Sequence, residues 1–116
     1  MLLAALPAGA QSRSDDDRID LAEMTLPFAI NATLEQIAEV EARAREAMSR
    51  VRGCEDLKNE TSKVPGATSG TLRIRVGDLC PNRDMYEQIP RLAPGGVAGP
   101  FRVAEGFQIV AMCGPR

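Results

Sequence analysis

Gly96-Val97-Ala98-Gly99-Pro100-Phe101-Arg102-Val103-Ala104-Glu105-Gly106-Phe107-Gln108-Ile109-Val110 is the stretch on which the fold turns. Val97 to Val103 and Phe107 to Met112 read as two strands, and Ala104-Glu105-Gly106 is the turn between them. A hairpin so close to the end of a 116-residue chain closes a single small domain, because little chain remains for a second core.

Working back from the hairpin, Pro94-Gly95-Gly96 and Pro90 break the chain. Between Asp78 and Ile89 a short helix is expected, with Pro81 in its first turn and Met85, Tyr86 and Ile89 on it. Leu72, Ile74 and Val76 alternate with Thr71, Arg73 and Arg75, which predicts a half-buried strand. Val64 to Gly70 is turn material, and Cys54 to Lys63 predicts a short helix carrying Leu57.

Thr33, with Gln36 three positions later, predicts a capping box and a long helix of about five turns. Leu34, Ile37, Val40, Ala44, Ala47, Met48 and Val51 form its apolar face, with Glu39, Arg43, Glu46 and Arg50 opposite. Gly53 is expected to end it as a left-handed cap. Ile19 to Leu26 is apolar on both faces and stops at Pro27, as suits a central strand. The sum is an α+β domain: a small, mostly antiparallel four-stranded sheet covered by one long and two short helices.

Three segments are expected: residues 1–10, a signal-peptide remnant; 11–18, a polar, flexible lead-in; and 19–116, the domain. Leu2 to Leu6 is apolar and Ala8-Gly9-Ala10 has the small-x-small form of a cleavage site, although the basic n-region is missing. No stretch approaches the ~20 apolar residues of a membrane-spanning helix, so stable membrane insertion is not expected.

Net charge is −2 and aromatics make up 3%, which argues against a basic stripe or stacking platform for nucleic acid. Arg43, Arg45, Arg73 and Arg75 read as solvated faces. With no histidine and no CxxC pair a metal site is not expected, nor is any cofactor. Cys54, Cys80 and Cys113 allow one disulfide and one free thiol. If the chain is exported, Cys54–Cys113 is the preferred pair, tying the end of the long helix to the last strand; three buried thiols in a reducing cytoplasm are the alternative.

The element order and the two ends of the domain resemble the parvulin-type peptidyl-prolyl isomerases. Gly96 to Val110 is similar to their closing hairpin, Gly-x-x-Ser/Gly-Pro-Val-x-Thr-x-x-Gly-aromatic-His-Ile-Ile. Leu21 to Pro27 resembles the first strand of the parvulin domains in SurA-type periplasmic chaperones, Leu-Ser-His-Ile-Leu-Ile-Pro. Ser69-Gly70-Thr71-Leu72 resembles a worn Gly-Gly-Asp-Leu, and Ile89 to Gly96 the run into the hairpin.

The resemblance implies two facing histidines, with a Cys or Asp and a Ser or Thr completing their network. Here Glu23 and Gln108 stand at the histidine positions, and Thr61, Ser62 or Thr68 are what the intervening loop offers. An amide can donate to a carboxylate, so Glu23 and Gln108 can pair without reproducing the family's hydrogen-bond pattern.

The function implied is a SurA-type domain that binds unfolded or proline-containing polypeptide, such as outer-membrane-type clients, in the periplasm, with isomerase activity weak or lost. Met85, Tyr86, Ile89 and Phe107 are the expected peptide-binding patch. An active isomerase with a non-histidine site, and a structural domain of a larger or truncated chaperone, are the alternatives. Whether the chain is an enzyme stays open at the sequence level.

Overall fold

Arg18–Pro27 forms β1, which lies inside the sheet of the computed structural model, where residues 18–79 and 82–114 are described. The expected signal remnant, most of the lead-in, and Cys80 and Pro81 lie outside the described residues. β1 begins at Arg18, the last residue assigned to the lead-in, and Pro27 is its final residue. Proline cannot donate to a ladder, so a strand held on both sides stops there.

After β1 come α1 (Leu34–Ser49), α2 (Cys54–Thr61), β2 (Thr68–Arg75), α3 (Arg83–Gln88), β3 (Val97–Arg102) and β4 (Gly106–Gly114). Short 3-10 turns at Val76–Leu79 and Ile89–Arg91 flank α3. The four strands are ordered β2-β1-β4-β3, and every neighbouring pair is antiparallel. The α+β class, the four strands and the one long and two short helices are as expected; the sheet is wholly rather than mostly antiparallel.

Alternation along β1 builds two cores. Ala22, Met24 and Leu26 face α1 and α2, where they join Val40, Ala44, Ala47, Leu57, Phe107 and Ile109. Ile19 and Leu21 face the other way, joining Leu79, Ile89, Ala98, Phe101, Val110 and Met112. Met24, Leu57, Ile89 and Ile109 have no exposed surface, and burial of such side chains stabilises by roughly 1.5–3 kcal/mol each.

The capping box forms as the sequence implies: Gln36 N–H donates to Thr33 Oγ1 at 3.1 Å, and Thr33 N–H to Gln36 Oε1 at 2.9 Å. Leu34, expected on the buried face, is 85% exposed. It is the first residue of α1, and the buried stripe begins a turn later, with half-buried Ile37 and then Val40. The helix is also shorter than expected. Arg50 caps it in a right-handed conformation, and Gly53 (φ 139°) instead precedes α2, where that φ favours glycine.

Arg50 ties the two helices together, donating to the buried Glu60 carboxylate at 2.6 and 2.8 Å while also meeting Glu46 at 3.4 Å. The hydrogen bond to Glu60 is the chief reason that its guanidinium is held above its ordinary pKa. Glu60 is 4% exposed, so this cation is what makes its burial tolerable.

β2 starts at Thr68, inside the stretch read as turn, and ends at Arg75, so Val76 lies in the following 3-10 turn. Gly106 opens β4 where a Cβ would come within 2.7 Å of Pro27 Cα, so no other residue fits without moving β1. Cys54 and Cys113 are disulfide-bonded, with Cα atoms 5.4 Å apart. The bond anchors the start of α2, rather than the end of the long helix, to β4.

Closing a loop with a sequence separation of 59 is worth about 4 kcal/mol in the chain-entropy picture. Cys54→Ser is expected to lower unfolding free energy by about 2–4 kcal/mol in denaturant titrations. Unaltered protein unfolded without reductant should show one free thiol among its three cysteines. Three free thiols would contradict the bond.

Candidate functional site

Pairing fixes what faces what on the side of the sheet opposite α1 and α2. Thr25 lies directly across from Gln108, and Glu23 from Val110, so Glu23, Thr25 and Gln108 share one face. Phe101 lies opposite Gln108 on β3, and Gly70 opposite Glu23 on β2.

The amide of Gln108 joins the polar group: its Nε2 donates to Glu23 Oε1 at 2.7 Å and to Thr25 Oγ1 at 3.3 Å. The two positions whose side chains are able to pair are hydrogen-bonded, and Thr25 is a third member that the sequence reading missed. All three side chains are half-buried. Gly70 keeps the space beside the carboxylate open, since a Cβ there would sit 3.6 Å from Glu23 Oε2.

Proton inventory limits what the group can do. An ionised carboxylate only accepts, and both N–H bonds of Gln108 are directed to Glu23 and Thr25. Within the trio, the hydroxyl proton of Thr25 and the acceptors Oε2 of Glu23 and Oε1 of Gln108 remain for a ligand. A histidine pair, in contrast, can donate or accept at either ring and change charge near neutrality.

The expected patch is divided by the sheet. Ile89 is buried in the second core, and Met85 packs against that core half-buried. Tyr86 is 45% exposed. Phe107 is not with them. It lies on the helix-facing side, 4% exposed, edge-on to Phe28 with ring centroids 5.9 Å apart. Adjacent strand residues point to opposite faces, so Phe107 cannot share the side of Gln108. Phe101 is the aromatic residue on the Gln108 face. Arg102 covers the other aromatic pair, its guanidinium carbon 5.0 Å from the Phe28 centroid.

The loop candidates also separate. Thr61 is buried and donates to Leu57 O, and Ser62 donates to Asn59 O, both serving α2. Thr68 pairs across from Thr25 and stands on the face of the polar group, at its exposed margin.

Coupling between Glu23 and Gln108 is measurable. A double-mutant cycle with Glu23→Ala and Gln108→Ala should give an interaction energy of about 1 kcal/mol in denaturant unfolding. Strictly additive losses would mean that the bond contributes nothing to stability.

No family model matches the chain. Chaperone SurA of Polaromonas sp. (strain JS666 / ATCC BAA-500) is 35% identical over 96 residues, covering 79% of this chain and 20% of that protein. The chain thus spans about a fifth of the length of this curated relative. The antiparallel α+β sheet, its opening strand and closing hairpin, and this similarity identify the chain as a SurA-like parvulin domain.

Proposed function

We propose that the domain binds extended, unfolded polypeptide on the Glu23–Gln108 face of its sheet, as a chaperone module with weak or no isomerase activity. The observation that carries this reading is the hydrogen bond from Gln108 to Glu23, at the positions where the resemblance calls for two histidines. Isomerising an X-Pro bond requires the amide to twist over a barrier of about 20 kcal/mol. Catalysis comes only from contacts stronger in that twisted state than in the planar one. A carboxylate that only accepts and an amide already committed to two acceptors supply few of them.

Binding needs less. Tyr86 and Leu72 are exposed apolar residues by half-buried Met85 and the second core, on the same side of the sheet as Thr25 and Gln108. Phe107 lies on the other side of the sheet; Phe101 is the ring on the Gln108 face, buried beneath this surface at 4% exposed. The similarity to Chaperone SurA supports polypeptide clients, such as outer-membrane-type segments, and a periplasmic location. The Cys54–Cys113 disulfide supports an oxidising compartment. An active isomerase is the second reading, favoured by the Thr25 hydroxyl proton, which can still reach a prolyl nitrogen or carbonyl.

Titrating the isotope-labelled domain with an unfolded outer-membrane-type peptide containing proline is expected to shift the resonances of Met85, Tyr86, Phe101 and the Gln108 side-chain amide. Phe28 and Phe107 should stay in place. No shift at about millimolar peptide would refute binding on this face.

A further inference from the structure

The order β2-β1-β4-β3 leaves β2 at an edge, and its hydrogen-bonding state can be followed from the far side of the sheet. Met112 spends both backbone groups on the run into β3: its N–H reaches Gly96 O at 2.9 Å, and its O accepts from Gly95 N–H at 2.8 Å. Leu21, opposite Met112, therefore turns its own groups toward β2 and Leu72. By alternation, Ser69, Thr71 and Arg73 turn their N–H and C=O away from β1. Arg75, next in that series, has its N–H taken by the Asp78 carboxylate at 3.0 Å, which closes the edge at that end. Among the described residues no strand pairs with this edge.

The side chains of Ser69, Thr71 and Arg73 point to the helix layer, since they lie opposite Met24, Ala22 and Asp20. There a cleft of about 220 Å³ separates β2 from α2. Ala22, Leu57 and Cys54 form its apolar lining, and Glu55 and Lys58 belong to its wall. An added strand hydrogen-bonded to Ser69 and Thr71 would direct alternate side chains over this cleft. The intervening ones would pass to the other face, beside Leu72, which is 40% exposed.

We propose that the outer edge of β2 takes up an extended polypeptide as a fifth, antiparallel strand, with small apolar side chains entering the cleft against α2 and acidic residues at the strand's N-terminal end. Antiparallel addition continues the pattern of every pair in the sheet, and the charge distribution then assigns the acidic end. Arg73 and Arg75 stand exposed at the C-terminal end of β2, where Arg73 meets half-buried Asp20 at 3.2 Å and the Asp78 carboxylate holds the Arg75 N–H. An antiparallel partner brings its N-terminus there. Main-chain bonds supply the affinity and the cleft the selectivity, as in other strand additions. This edge is separate from the Glu23–Gln108 face and does not depend on binding there.

The probe is a blocked peptide alternating valine with threonine, with two aspartates at its N-terminal end. On binding, the Ser69, Thr71 and Arg73 amides should shift and exchange more slowly with solvent. N-methylating one alternate set of peptide amides should weaken binding about tenfold or more, and methylating the other set should leave it nearly unchanged. Thr71→Pro, which removes an outward N–H, should reproduce the loss; if it does not fold, the N-methylated peptides decide the matter on the unaltered domain. Moving the aspartates to the C-terminal end should weaken binding. Equal effects of the two methylated sets would overturn the proposal. So would a response confined to Gln108 and Phe101, or β2 amides already protected in a peptide-free dimer. A response at β2 without one at the Gln108 side chain would support this edge on its own, since binding on the other face is tested separately with the proline-containing peptide.

Discussion

β1 is enclosed on both faces and paired on both edges, and the rest of the domain follows from that constraint. Its two sets of alternating side chains each require a cover, which α1 and α2 provide on one side and α3 with its flanking turns on the other. Its two ladders position β2 and β4, and β4 in turn carries β3. A polar side chain on such a strand needs a partner from a neighbour. Glu23 finds one in Gln108, whose amide also reaches Thr25.

The two faces of the sheet consequently do different work. The helix-facing side is a continuous apolar core, reinforced by the Arg50–Glu60 pair between helices and the Cys54–Cys113 bond to β4. The opposite side changes character along its length: apolar around Ile19, Leu21 and Met112, polar and more open at Thr25, Gln108 and Thr68. A face that carries a polar end together with exposed Tyr86 and Leu72 elsewhere on it suits the proposed recognition of an unfolded chain, which presents backbone and apolar side chains together. The same end has no histidine, the side chain whose ordinary pKa lies nearest neutrality.

Local signals were the most legible in the sequence. Thr33 and Gln36 announce the start of α1 because a capping box acts within four residues. The two-sided apolar run from Ile19 to Leu26 and the closing hairpin placed β1, β3 and β4, and the preferred cysteine pairing also emerged. Parity, had it been followed further, would have found Thr25 two residues after Glu23, and would have placed Phe107 on the face opposite Gln108. Phe101 was harder to find, since the register of β3 against β4 shifts between Ala98 and Phe101. Thr68, Ser69 and Gly70 read as turn yet pair with β1, because the ladder of a neighbouring strand overrides weak local preference. Gly53 ends no helix: its positive φ serves the start of α2 three residues after the cap of α1.

On the reading proposed above, a carboxylate and an amide where the resemblance calls for two histidines make a domain that holds polypeptide without isomerising it efficiently. Exchange spectroscopy on a short proline peptide, at catalytic amounts of the domain, measures this directly. The account predicts cis/trans exchange close to the uncatalysed timescale of tens of seconds, with or without the domain. Exchange accelerated in its presence, and slowed again by Gln108→Leu in a domain that remains folded, would contradict it.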